Sequence, residues 1–214
     1  GTNTPGVMRW LGGVCDGAKR DAAQQRLLSY EREHGHTFWC VERRSDGAIL
    51  GFCGLKRSNQ SGGPLGMMEV GWRLREDAWG RGYAKEAATA SLDLAFDRFD
   101  AEEVIAMTVQ RNTASWGLMQ RLGMRRRDDL DFDNAEFDKE DPVIIVYSID
   151  RASWTAHRGS YHRRKRPAGP AHDRGRRRRP TGPPAQHAGG HGAARRGQGT
   201  ARNRGEARQG DGDV

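Results

Sequence analysis

The stretch WGRGYA at residues 79–84 decides the fold, because its two glycines stand between a strand pattern and a helix pattern. Residues 67–74 alternate in character at the two-residue period of a strand. After the glycines, small and apolar residues recur at helical spacing, at Ala84, Ala87, Ala88, Ser91, Leu92, Ala95 and Phe99. A stripe made mostly of alanine predicts a long helix that lies close against a sheet.

The strand before the glycines has two unlike faces. One face carries Met68, Val70, Trp72 and Leu74, and the other carries Glu69, Gly71 and Arg73. We expect the first face to pack in the core and Glu69 to point away from it.

Further elements follow outward in both directions. A helix is predicted over residues 21–34, with Asp21 as its N-cap and Gly35 as its stop. Strands are predicted at 37–42 and 48–55, joined by a turn, and again at 103–109 and 143–149. A short helix at 112–122 ends at Gly123, and residues 128–141 form an acidic loop. This order predicts an α/β fold with a mixed sheet.

The glycine turn has a chemical interpretation and a purely structural one. Small residues leave backbone N–H groups open, and the following helix adds unpaired N–H groups and its positive dipole end, which together suit a pyrophosphate. Alternatively, the glycines serve only the dihedral angles of a tight turn. No Lys-Ser/Thr pair follows, and the spacing is not Gly-x-Gly-x-x-Gly, so neither a Walker loop nor a dinucleotide fingerprint is present.

Three segments together resemble a known family: EVGW at residues 69–72, WGRGYAKEA at 79–87, and NTAS at 112–115 followed by LGM at 122–124. They are similar to the Rim-type branch of the GNAT superfamily of acyl-CoA N-acyltransferases, over about residues 7 to 150. The resemblance implies a mixed, splayed β-sheet flanked by helices, open between the third and fourth strands above, with acetyl-CoA in the opening. Members of this branch usually begin with one more strand and helix, so we expect a GNAT-like domain that lacks both.

The resemblance also implies site residues. The pyrophosphate would lie on the amides of the glycine turn, and the pantetheine arm would pair with the edge of the third strand. Asn112 would hold that arm, and Ser115 would lie near the sulfur and protonate the departing thiolate. The residues implied to bind acetyl-CoA are therefore Trp79, Gly80, Arg81, Gly82, Tyr83, Ala84, Asn112 and Ser115.

Glu69 is the candidate base, since its predicted face lets it accept the amine's proton directly or through water. Each assignment has a structural alternative. Glu69 could be a solvated or arginine-paired strand residue, Ser115 could bond its own backbone, and Asn112 could be a plain N-cap. Three tryptophans could line the acceptor cleft or belong to the core, namely Trp39, Trp72 and Trp116.

The net charge of +8 arises in the last part of the chain. Residues 155–214 are rich in Arg, Gly, Pro, Ala and His, whereas the preceding part is slightly acidic. Such a composition buries too little apolar area to offset about 1–2 kcal/mol of backbone entropy per residue. We therefore predict a folded domain over residues 1–154 and a disordered basic tail over 155–214, which is either a functional extension or the product of an out-of-frame reading.

Composition limits the remaining possibilities. Three cysteines, Cys15, Cys40 and Cys53, do not suggest a disulfide framework, and the last two are expected in the core. No apolar run approaches the ~20 residues of a membrane span, and no leader opens the chain, so a cytoplasmic location is expected. The histidines lack metal-ligand spacing, so no metal site is predicted.

The leading hypothesis is an acetyl-CoA-dependent N-acetyltransferase that acts on a primary amine, either a small molecule or a protein N-terminus, as a monomer or homodimer. One alternative is a catalytically inactive acyl-CoA-binding remnant. Another is a nucleic-acid- or ribosome-binding protein whose Arg-rich tail, including residues 176–179, neutralises phosphates without reading sequence. The acidic loop suggests a cationic acceptor, unless it is merely solvated.

Overall fold

The structure is a computed structural model that describes residues 1–165, with side chains described for residues 1–160. Its α-helices are α1 (Pro5–Met8), α2 (Gly17–His34), α3 (Tyr83–Asp97), α4 (Thr113–Arg121) and α5 (Arg151–Lys165). Its strands are β1 (Phe38–Arg43), β2 (Ala48–Arg57), β3 (Met68–Leu74), β4 (Glu103–Val109), β5 (Arg125–Arg126), β6 (Phe132–Asp133) and β7 (Val143–Asp150). Two 3-10 helices lie at Glu76–Ala78 and Asp128–Leu130.

The seven strands form one mixed sheet in the order β1-β2-β3-β4-β7-β5, with β6 also paired to β7. All neighbouring strands are antiparallel except β3 and β4, which are parallel. The α/β fold class and the splayed mixed sheet with flanking helices are confirmed. The helical connection between β3 and β4 explains the parallel pair, because parallel neighbours need a crossover.

Helix α3 covers one face of the sheet. Ala88, Leu92 and Ala95 have no exposed surface and pack with Leu55 and Val70 from the strands. The alanine stripe thus behaves as predicted, since small side chains let the helix axis approach the sheet. A second apolar cluster lies under residues 128–137 and comprises Ile105, Val109, Phe132, Ile144 and Val146.

The first long helix begins earlier than predicted. Helix α2 starts at Gly17, and its N-cap is Asp16, whose Oδ1 accepts a hydrogen bond of 2.8 Å from the backbone N–H of Lys19. The assignment of Asp21 as the cap is therefore wrong. Two aspartates five residues apart both suit a cap, and local composition did not separate them. The predicted stop is confirmed, since Gly35 caps the helix in a left-handed conformation.

The last helix corrects the predicted domain boundary. We expected no regular structure from Thr155 onward, but α5 runs from Arg151 to Lys165. It is anchored by Trp154, which is 4% exposed and whose Nε1 donates a 2.9 Å hydrogen bond to Asp93 of α3. The folded part therefore extends past residue 154. The rest of the predicted tail, with its expected disorder and nucleic-acid contacts, lies outside the described residues.

The cysteines differ in environment. Cys53 is buried as expected, and burial raises the pKa of its thiol to about 11. Cys40 is exposed, so its assignment to the core is wrong. It lies on β1 at the edge of the sheet. None of the described helices is long and apolar enough to cross a membrane.

Candidate active site

The sheet opens between its two parallel strands. β3 and β4 pair only at Met68–Val104 and Glu69–Ile105. Beyond that point, β3 stays paired with β2 as far as Leu74, while β4 stays paired with β7 along its whole length. Each strand follows its outer neighbour, so a V-shaped cleft opens after Glu69, at the position predicted for acetyl-CoA.

The glycine turn lies at the end of β3, next to this cleft. Gly80 and Gly82 have φ values of 71° and 85°, in the left-handed region that favours glycine. A Cβ atom added at either position would meet nothing within 4 Å, so the space in front of the backbone is open. Gly82 is the N-cap of α3, and no side chain caps this helix. The first-turn N–H groups of α3 are therefore available to an anion.

The other residues of the turn hold it in place. The Trp79 indole is 52% exposed, and its Nε1 donates a 2.8 Å hydrogen bond to the carbonyl of Leu74. Tyr83 packs against Leu50 and Leu74. Ala84 packs against the core, while Arg81 is exposed.

Asn112 is the N-cap of α4, and it directly precedes Thr113. Its Oδ1 accepts a 3.4 Å hydrogen bond from the N–H of Ser115, and its Nδ2 donates a 3.0 Å bond to Thr108 Oγ1. Asn112 is therefore an N-cap, as its structural alternative held, and its role toward acetyl-CoA stays a prediction. The same bonds join the end of β4 to the start of α4, which fixes where Ser115 lies.

The Ser115 hydroxyl differs from those of other helical residues. Ser91 and Thr89 each donate to a backbone carbonyl one turn back, at 3.0 and 2.7 Å. Within residues 1–160, Ser115 Oγ has no such bond, and the side chain is half-buried. The alternative that Ser115 bonds its own backbone is wrong, so its hydroxyl can donate to a ligand.

Glu69 lies at the point where the strands separate. It is only 7% exposed, and its Oε2 lies 3.3 Å from Lys56 Nζ of β2. Burial raises the pKa of Glu69, and Lys56 opposes this rise. Glu69 is not solvated, and its charged partner is a lysine rather than the arginine that the structural alternative named. Lys56 was not predicted to belong to the site, because only the β2–β3 register places it opposite Glu69.

Arginines of the chain pair with much of the acidic loop. Asp131 pairs with Arg126, and Asp129 pairs with Arg127 at 2.8 Å. The pairs of Arg111 with Asp138 and Glu140 measure 3.4 and 3.0 Å. Arginines of the chain therefore neutralise most of the negative charge that was expected to attract a cationic acceptor.

An open cleft of about 360 Å³ lies beside this loop, between Trp10 and Phe137. Arg111 also lines it and directly precedes Asn112, so the cleft adjoins the start of α4. Trp10 was not among the tryptophans predicted to line a cleft. Trp72 and Trp116 instead pack against the buried cluster that α3 forms with the sheet, as the alternative that placed them in the core predicted. Trp39 donates a 2.9 Å hydrogen bond to Glu31 of α2.

A family model described as an acetyltransferase (GNAT) domain matches residues 2–125. The chain belongs to the GNAT acetyltransferase family. Among residues 1–165, no group of three or more His, Cys, Asp or Glu side chains could hold a metal ion.

Two curated relatives illustrate the similarity. An uncharacterized Bacillus subtilis protein, YkkB, is 32% identical over 127 residues, which cover 57% of this chain and 70% of that protein. The FsC-acetyl coenzyme A-N(2)-transacetylase of Aspergillus fumigatus is 36% identical over 90 residues, covering 40% of this chain and 37% of that enzyme.

Solved structures of this GNAT protein's relatives share its fold. An acetyltransferase from Agrobacterium tumefaciens matches with a TM-score of 0.59 and 23% identity, over 70% of this chain and 81% of that one. The ribosomal-protein-S5-alanine acetyltransferase of Vibrio fischeri matches with a TM-score of 0.54 and 19% identity, over 72% and 84% of the two chains.

Proposed function

We propose that this GNAT protein is an acetyl-CoA-dependent N-acetyltransferase that moves an acetyl group to a primary amine. The observation that carries the proposal is the coincidence of two openings. The sheet separates after Glu69, and the uncapped start of α3 at Gly82 lies at the same end of β3. One acetyl-CoA molecule would place its thioester arm in the opening of the sheet and its pyrophosphate at the start of α3.

The glycine turn would bind the pyrophosphate through backbone amides. The residues proposed for acetyl-CoA are Trp79, Gly80, Arg81, Gly82, Tyr83, Ala84, Asn112 and Ser115. The β3 edge beyond Glu69, which is not paired with β4, would pair with the pantetheine arm as an added strand. Its backbone N–H groups would also stabilise the tetrahedral oxyanion.

Acetyl transfer needs two proton movements. The neutral amine nitrogen attacks the thioester carbon, and the C–S bond breaks as the tetrahedral intermediate collapses. Glu69 would take the proton that the nitrogen loses, directly or through water, and Ser115 would give a proton to the thiolate. The raised pKa of Glu69 supports the base role, because a base titrating nearer neutral pH accepts protons more effectively.

The acceptor amine would enter through the cleft beside Trp10 and Phe137. These two residues pack on the sheet face that carries Ile105, and Ile105 is the β4 partner of Glu69. This route leaves the pantetheine arm and the acceptor on different sides of the reacting carbon, as direct transfer requires. The class of amine and the assembly as monomer or homodimer stay predictions.

Two assays on the full chain test the proposal. Acetyl-CoA should raise the melting temperature, since a ligand at 100 times its Kd stabilises the folded state by about 2.7 kcal/mol. Turnover with a panel of primary amines should then release free CoA. Stabilisation without any turnover would favour the inactive remnant, and neither effect would leave nucleic-acid binding through the tail as the hypothesis to pursue.

A further inference from the structure

Arg73 of β3 differs from the other partly buried arginines of residues 1–160 in its lack of a carboxylate partner. Five others each have a carboxylate oxygen within 3.0 Å, namely Arg43, Arg75, Arg126, Arg127 and Arg158. Arg73 has none among these residues. A guanidinium that is partly removed from water without a counter-charge destabilises a fold, so its presence needs a reason.

The neighbours of Arg73 do not satisfy its charge. Its Nη1 lies 3.3 Å from Met8 Sδ, and its guanidinium carbon lies 5.4 Å from the centre of the Phe52 ring. A thioether is a weak acceptor, and a ring face offers only part of the stabilisation of an anion. Burial lowers the pKa of Arg73, and Cys15 opposes this fall; an arginine keeps its charge at neutral pH.

Arg73 lies on the face that carries the proposed base. It follows Glu69 by four residues, so the two share a side of β3 about 13 Å apart along the strand at ~3.3 Å per residue. Gly71 lies between them, and a Cβ atom there would meet the Phe38 ring at 2.9 Å. No β3 side chain therefore stands between the base and the cation.

The proposed acetyl-CoA site does not account for Arg73. Helix α3, which follows the glycine turn, packs on the opposite face of β3 through Met68 and Val70. Arg73 also lies past the point where β3 and β4 separate, near α1 and the segment that lines the acceptor cleft. An anion that reaches its guanidinium would belong to the acceptor.

We propose that Arg73 binds a carboxylate of the acceptor, so that the substrate carries an amine and a carboxylate about a tripeptide's length apart. This inference rests on the proposed acetyl transfer to an amine. One carboxylate balances one guanidinium and matches its planar donors. A phosphate dianion would need a second cation. Of the two arginines that line the cleft, Arg111 is already paired with Asp138 and Glu140, and Arg9 lies over the Trp10 ring.

Triglycine and triglycinamide form a matched pair of probes, because they differ only in the terminal carboxylate. Three residues span roughly 10 Å. The full chain should acetylate triglycine with a kcat/KM about 10- to 100-fold higher, mostly through KM, as expected for a charge-assisted hydrogen bond. Arg73→Met should abolish this preference, Arg73→Lys should keep part of it, and Arg26→Met, at an exposed arginine of α2, should keep all of it.

A second measurement does not depend on turnover. Calorimetry on the CoA-loaded full chain compares N-acetyltriglycine with its amide, and the acid should bind about 10- to 100-fold more tightly. A lack of preference, including no binding of either peptide, would overturn the Arg73 assignment, as would a preference that survives in Arg73→Met. Carboxylate preference in binding without turnover of any amine would uphold Arg73 and refute the transferase.

The folded state supplies a further control. Removing an unpaired, half-buried charge should raise the melting temperature of Arg73→Met above that of the wild type, as for binding residues kept at a cost in stability. A variant that melts lower would show that Arg73 serves packing against Met8 and Phe52, and it would overturn the inference.

Discussion

Replacement of Trp154 by alanine tests whether α5 belongs to the GNAT domain. Trp154 is 4% exposed and packs in the same cluster as Leu92 and Ala95 of α3. A buried tryptophan removes about 150–250 Å² from water, or about 4–6 kcal/mol at ~25 cal/mol per Å². Measured Trp→Ala changes in cores cost about 3–5 kcal/mol, so we expect a loss of about 4 kcal/mol.

Polar contacts add little to this figure. The hydrogen bond from Trp154 Nε1 to Asp93 contributes about 1 kcal/mol. The Arg158–Asp93 ion pair is partly solvated, since the arginine side chain is 39% exposed, and it contributes at most about 1 kcal/mol. Trp154→Phe, which keeps most of the apolar area, should therefore cost only about 1 kcal/mol and serves as the matched control.

Urea unfolding of the full chain measures these differences. A loss of about 4 kcal/mol is a large part of the 5–15 kcal/mol typical of a domain. A chain that ends at Trp154 keeps only four residues of α5, too few for a stable helix, and should lose similar stability. A chain that ends at Lys165 should match the full length. Equal unfolding midpoints for the two truncations, or for Trp154→Ala and the wild type, would refute the docking of α5.

Three further predictions concern the reaction. Gly82→Val should weaken acetyl-CoA binding at least about tenfold by covering open amides, although its left-handed φ also adds about 1–2 kcal/mol of strain. Gly82→Asn, which tolerates that φ, separates the two effects, and unchanged calorimetric affinity in both folded variants would remove the turn from the site. Ser115→Ala should lower kcat about 10²–10⁴-fold with little change in acetyl-CoA affinity, whereas Ser115→Thr keeps the hydroxyl; equal kcat values would exclude the acid role. Lys56→Met should shift the acidic limb of the kcat/KM–pH profile to higher pH, because Lys56 lowers the pKa of Glu69. Glu69→Gln should abolish that limb. An unaltered profile in Glu69→Gln would leave Glu69 a structural residue.

Sequence periodicity predicted most of the secondary structure, and the resemblance to the GNAT superfamily implied the place of the opening. The alternation over residues 68–74 separated a buried face, with Val70 and Leu74, from the face of Glu69. The alanine stripe predicted the close packing of α3. These features were readable because strand and helix periods are local properties of the chain.

Other features needed long-range contacts. Helix α5 was missed because its polar composition gives no helical stripe, and one residue, Trp154, docks it on a helix 61 positions away. The ion pairs of the acidic loop escaped notice for the same reason, since Arg111 meets Glu140 across 29 positions.

The sequence by itself determined most of the longer helices and strands, the glycine turn and the resemblance to the GNAT superfamily, because dihedral requirements, periodicity and short motifs act within a few residues. Only the tertiary structure decided the electrostatics of the face of β3 that carries Glu69 and Arg73. The β2–β3 register buries Glu69 against Lys56, and the same sheet leaves Arg73 among Met8 and Phe52 without a carboxylate from residues 1–160. Burial and charge pairing depend on which distant segments meet, and no local pattern records that choice.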